Sequence, residues 1–141
     1  MSDPYINIVV LSHSGAFKAL SAAVAKAEEI NVPQCICIVD PSGETIVSFR
    51  MDGAKYLSMQ TARSKARTAA SIRNRTGGMP ADFAVSAGIA TNGGIINLPG
   101  GLPIKFDGKL AGAIGIGSGT GEQDIDVARA ALAALGADAV D

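Results

Sequence analysis

The chain reads as an α/β domain of the α+β kind: a mainly antiparallel sheet of two hairpins, with helices packed on it. Three observations predict this. The β-rich apolar run Cys35-Ile-Cys-Ile-Val39 is followed by the turn Asp40-Pro-Ser-Gly43 and a return run over residues 45–49. Residues 102–106 and 110–116 repeat that arrangement about Asp107-Gly108, a hairpin dipeptide. The segments around these hairpins carry helical rather than alternating spacing of apolar residues. The 141 residues suffice for one domain with one core, so residues 1–141 are read as a single unit.

The elements follow in order. Residues 5–10 are a short apolar run, either a strand or an extended arm. Ser12 or Ser14 can cap the first helix, whose apolar face is read as Phe17, Leu20, Val24 and Ile30. Asn31 and Pro33 end it. Asp52-Gly53 closes the first hairpin. Residues 57–72 form a second helix of unusual composition, with Ala62, Ala66, Ala69 and Ala70 making a small face that allows close approach to a sheet or another helix. A loop over residues 76–80 leads to a short helix at 81–87. After the second hairpin, the run Gly115-Ile-Gly-Ser-Gly-Thr-Gly121 enters a last helix with the stripe Ile125, Ala128, Leu132 and Leu135 and a glycine, Gly136, suited to its C-terminal cap.

Composition excludes several functions. Apolar residues are 48 %, charged residues 18 %, and the net charge is −1. No broad basic field exists for nucleic acid or an anionic membrane. The thin surface charge suits a homo-oligomer that hides surface between copies. Cys35 and Cys37, two apart on a strand, face the same way and read as buried free thiols. One histidine and two cysteines do not make a metal site. The N-terminus has no signal-peptide pattern and no long apolar span occurs, so a cytoplasmic protein is expected.

The glycine run fits neither the dinucleotide nor the Walker pattern, because Thr120 and Glu122 stand where glycine is required and no Gly-Lys-Ser/Thr follows. A tight turn is its plainer meaning. Arg50-Met51-Asp52-Gly53 leaves a buried strand, a place where ligand groups are commonly mounted, and Arg50 could fork onto a carboxylate. The alternative is a surface pair between Arg50 and Asp52. The second helix carries Arg63, Lys65, Arg67 and Arg73: a solvated face, an inter-subunit contact, or a cationic wall for an acidic small molecule. His13 lies in the first turn of the first helix without a partner for catalysis or metal binding.

These motifs together resemble the GlcG/HbpS family, also called the haem-degrading domain family. The resemblance rests on Ile38-Val-Asp-Pro-Ser-Gly43, Phe49-Arg-Met-Asp-Gly-Ala54, Lys65-Ala-Arg-Thr-Ala69, Leu98-Pro-Gly-Gly-Leu-Pro103, Gly112-Ala-Ile-Gly115 and Gln123-Asp124, in order and spacing over residues 12 to 136. It implies a profilin-like layered fold and a homo-oligomer. It implies a small-ligand-binding protein, with haem or a related tetrapyrrole as the cofactor or ligand. Arg50, Met51, Lys65, Thr76, Pro99, Gly100 and Gly101 are then the ligand-binding positions, with Arg50 and Lys65 as a cationic rim beside a wide apolar wall. A rival implication is a cofactor-free lyase or hydrolase acting on a small aromatic or hydroxy acid, with Asp52 or Glu122 as acid or base tuned by burial. A third is a non-catalytic accessory subunit. The lone His13 and the long glycine run depart from the family pattern.

Overall fold

The computed structural model describes residues 3–141 and shows four helices and four strands. They are α1 (His13–Glu29), β1 (Cys35–Val39), β2 (Thr45–Arg50), α2 (Ser58–Ile72), α3 (Ala81–Ala90), β3 (Gly101–Phe106), β4 (Lys109–Gly117) and α4 (Gly121–Leu135). The two hairpins join through β1 and β4 into one antiparallel sheet of order β2-β1-β4-β3. The layered α+β arrangement expected from the sequence is the one found. Residues 5–10 form the extended arm, with Tyr5, Ile6 and Ile8 at least 63 % exposed.

Strand alternation sends two different side-chain sets to the two faces. One face presents Ile36, Ile38, Leu102, Ile104, Ile114 and Ile116 to α1 and α4. The other presents Cys35, Cys37, Val39 and Ala113 to α2. Opposite Cys35 and Cys37 on β4 stand Gly117 and Gly115. These glycines let α2 lie almost on the sheet backbone. A Cβ at Gly115 would fall 1.9 Å from Ala62 O, and one at Gly117 would fall 2.9 Å from Ser58 O. The first part of the glycine run is thus strand, and its composition answers the alanine face of α2.

Two apolar stripes differ from those expected. α1 buries Ala16, Ala19, Leu20, Ala23 and Ala27, while Phe17 is 68 % exposed. α4 buries Asp124, Val127, Ala128, Ala131 and Leu132, and Ile125 is only half-buried. Helices α1 and α4 pack together, and their alanines permit the close contact that larger side chains would prevent. Ser12 caps α1, its hydroxyl accepting from Gly15 N at 3.0 Å. Thr120 and Gln123 form a reciprocal capping box at the start of α4, and Gly136 takes the left-handed cap with φ 64°.

α3 is different in kind. It is almost wholly apolar, buries none of its residues, and packs against no other described helix or strand.

Candidate functional site

Several motif residues converge on one buried knot behind the sheet. Lys65, on the inner side of α2, is 4 % exposed. Its ammonium donates to Ile116 O at 2.7 Å and to Asp124 Oδ2 at 2.9 Å. Asp124 Oδ1 accepts from Gly119 N at 3.0 Å. Burial pushes the Asp124 carboxyl above its ordinary pKa of 3.8, opposed mainly by Lys65. Gly100, with φ 122°, passes so close that a Cβ there would stand 2.8 Å from Ile116 O and 3.0 Å from Lys65 Nζ. Thr76, also buried, donates its hydroxyl to Leu98 O and accepts from Gly101 N at 2.9 Å. Pro99 packs beside Gly77 and Gly121.

Lys65, Thr76, Pro99, Gly100 and Gly101 are therefore brought together, with the Lys65 ammonium and the Thr76 hydroxyl proton engaged inside the protein. The cationic rim expected of Lys65 is corrected by this geometry: its charge is spent inside the protein on Asp124. Thr76 likewise spends its hydroxyl proton on Leu98 O. The knot locks α2, β4 and α4 to one another across chain separations as large as 59 residues. Gln34, fully buried, turns its amide toward this knot without a well-formed side-chain hydrogen bond of its own. Nothing in the sequence marks Gln34, and Asp124, although part of the Gln123-Asp124 motif, carries no local sign of its pairing with Lys65.

The strand-end group lies apart from these buried contacts. Arg50 ends β2 and is exposed, and it forms no ion pair with Asp52 among the described residues. Met51 is half-buried; its sulfur accepts from Gln34 N at 3.4 Å and its own N donates to Gln34 O. Asp52 and Glu122 are both exposed, so the protomer does not supply the burial expected to tune them as acid or base. His13 opens α1 on the surface. Cys35 and Cys37 are free and buried, and desolvation pushes both thiols up.

An open concavity lies elsewhere, on the outer side of α2. This groove, of about 850 Å³, runs between the β1–β2 turn at Pro41, Ser42 and Gly43 and the loop over residues 91–95. The loop is tied to the helix: Thr68 Oγ1 donates to Gly94 O at 3.0 Å and accepts from Ile96 N at 3.1 Å. Arg63 and Arg67 stand in the groove, whereas none of the residues singled out as ligand-binding or catalytic lines it. Only Pro41, Ala70 and Ile95 are apolar among its lining residues, so the wide apolar wall expected of a tetrapyrrole pocket is absent from the groove of one protomer.

The layered fold and motif-built knot define a class of small domains, and comparison with known proteins identifies it. The model of the family described as haem degrading protein HbpS-like matches residues 11–133, and the chain belongs to that family. It is 37 % identical over 132 residues to a 15.0 kDa protein from the dhaT-dhaS intergenic region of Citrobacter freundii, covering 89 % of this chain and 92 % of that one. It is 36 % identical to the corrinoid adenosyltransferase PduO of the same organism, covering 89 % of this chain but only 39 % of the longer protein. Among solved structures, a PduOC:heme complex superposes with a TM-score of 0.86 at 31 % identity, covering 94 % of this chain and all of that one.

Proposed function

We propose that this chain is a small-ligand-binding protein whose ligand is haem or a related tetrapyrrole. The observation that carries this reading is the haem complex of a relative that shares the fold over its full length. The groove on α2 is of a volume typical for small-molecule sites. Its fit to haem is divided. Arg63 and Arg67 suit the ligand's carboxylates, but no histidine, cysteine or methionine lines the groove to hold iron. Haem bound there would bring its iron without a strong protein ligand. Arg50, exposed at the end of β2, remains a second anchor for a carboxylate.

Assembly with further copies is part of this reading. α3 exposes Phe83, Val85 and Ile89 at 58 %, 63 % and 75 %, and a helix apolar all round belongs in an interior. Its C-terminal end runs straight into the groove wall at Thr91, so a second copy covering α3 would also add the apolar wall that one protomer lacks. Phe83→Asp with Ile89→Asp is expected to yield monomers by light scattering. A wild-type monomer, or an unchanged oligomer in the variant, contradicts this. Two buried free thiols suit a reducing compartment.

The polar lining favours a second reading, a cofactor-free lyase acting on a small aromatic carboxylate. Haemin titration followed by absorbance separates the two. A saturable Soret shift near one haem per chain supports tetrapyrrole binding. A linear, non-saturating response rejects it, and turnover of hydroxylamino-substituted aromatic acids would then support the lyase.

A further inference from the structure

We infer that Arg63 and Arg67 form a two-pronged clamp in the α2 groove for a ligand carrying two carboxylates. The inference rests on the small-ligand reading and names the subsite and the chemistry that reading leaves open.

The two arginines are four residues apart on α2, so their Cβ atoms are about 6 Å apart on one helix face. Each guanidinium offers a planar fork of donors suited to a carboxylate. Neither forms an ion pair or a side-chain hydrogen bond among the described residues. No residue lining the groove is acidic, so nothing there competes with an anionic ligand. A second concavity makes the contrast. It holds Arg73, Arg75 and Lys105, but also Asp138 and Asp141, and its charge is largely balanced from within.

The walls beside the two arginines are held in place. Gly43, with φ 87°, folds the β1–β2 turn over Arg67, and a Cβ at Gly43 would lie 3.5 Å from Arg67 Nε. On the opposite wall, Ser64 and Thr68 donate to Gly93 O and Gly94 O and fix the glycine loop against α2. Gln60, Thr61, Asn92 and Ser42 surround the arginines with further polar groups. Walls already tied down reduce the ordering cost of binding, and two forked donors mounted one turn apart on a helix favour two carboxylates over one.

The test measures affinities of the full chain for protoporphyrin IX, its dimethyl ester, haemin and phthalate. Wild type is compared with Arg63→Ala/Arg67→Ala and with Arg73→Ala/Arg75→Ala, which removes equal charge from the other concavity. All four arginines are exposed, and circular dichroism confirms that each variant folds. Charge-assisted hydrogen bonds are worth about tenfold or more each. The clamp variant is therefore expected to lose about 100-fold for each free diacid that binds, while the control stays within about twofold. The dimethyl ester should bind wild type no better than the diacid binds the clamp variant. If diacids bind wild type and the clamp variant equally, the clamp is overturned and the small-ligand reading stands. If none of the four probes binds wild type, the clamp and the small-ligand reading fall together.

Discussion

Asp124→Ala should be among the most damaging single substitutions in this protein. The change removes the carboxylate 2.9 Å from Lys65 Nζ and leaves the ammonium with Ile116 O alone. The Lys65 side chain is 5 % exposed, so water cannot take the place of the lost partner. Breaking a buried pair from one side costs about 3–5 kcal/mol. With about 2.1 cal/mol/K of unfolding entropy per residue, a chain of 141 residues unfolds with about 0.3 kcal/mol/K. The melting temperature should therefore fall by about 10–17 °C. Lys65→Met should cost less, because Asp124 keeps its bond from Gly119 N and can take a proton, toward which burial already biases it. Lys65→Met with Asp124→Leu should recover most of the loss, since no uncompensated charge remains. Urea unfolding followed by far-ultraviolet circular dichroism reads all four proteins; the chain has no tryptophan to follow. Single variants that each cost under about 1 kcal/mol, or a double variant worse than the sum of the singles, would refute the assignment of this pair as the structural lock.

Gly115→Ala should unfold the protein or cost well over about 3 kcal/mol, because α2 must retreat from a Cβ 1.9 Å from Ala62 O; Gly78→Ala, with open space around it, should stay within about 0.5 kcal/mol in the same urea unfolding measurement. Asp40 accepts from Ser42 N, Ser42 Oγ and Glu44 N, and chiefly the Ser42 hydroxyl holds its carboxyl below the ordinary 3.8. A lowered folded pKa means stability present above 3.8 and lost as pH falls through the folded value. Asp40→Ala should thus cost about 1 kcal/mol at neutral pH and progressively less in acid, as measured by urea melts across pH. Asp124 has the opposite sign: its raised pKa favours folding most below 3.8, and that contribution is lost as pH rises through the folded value. Cys35 and Cys37 should resist a thiol reagent in the native protein and react together at the unfolding midpoint; fast native labelling would show that α2 opens locally.

Both hairpins were legible because their turns carry local signals: Asp40-Pro-Ser-Gly43 and Asp107-Gly108 act within a few residues. The alanine face of α2 also read correctly as a close-approach surface. The stripes of α1 and α4 are legible in part: Leu20, Ala128 and Leu132 are buried, but Phe17 is exposed and Ile125 half-buried, because patterning weights residues by size whereas alanines form part of the buried face of both helices. The strand over residues 110–116, Gly115 included, is legible, but why Gly115 and Gly117 must be glycine is not, because the reason lies on α2, more than forty residues earlier in the chain. The Lys65–Asp124 pair was illegible for the same reason of distance. The capping spacing Thr120 to Gln123 was present and would have marked the start of α4. The largely apolar composition of α3, broken only by Asp82 and Ser86, is legible in the sequence, but its lack of a packing partner among the described elements is not. Arg63 and Arg67 were visible as a cationic face, but the walls that make it a groove come from two loops remote in sequence.

The most direct measurement is a crystal structure of the protein grown with haemin. The small-ligand reading predicts density for one tetrapyrrole per chain in the α2 groove, its propionates on Arg63 and Arg67 and α3 covered by a neighbouring copy of the same assembly. A structure from haemin-saturated protein with the groove empty and α3 exposed to solvent would contradict it.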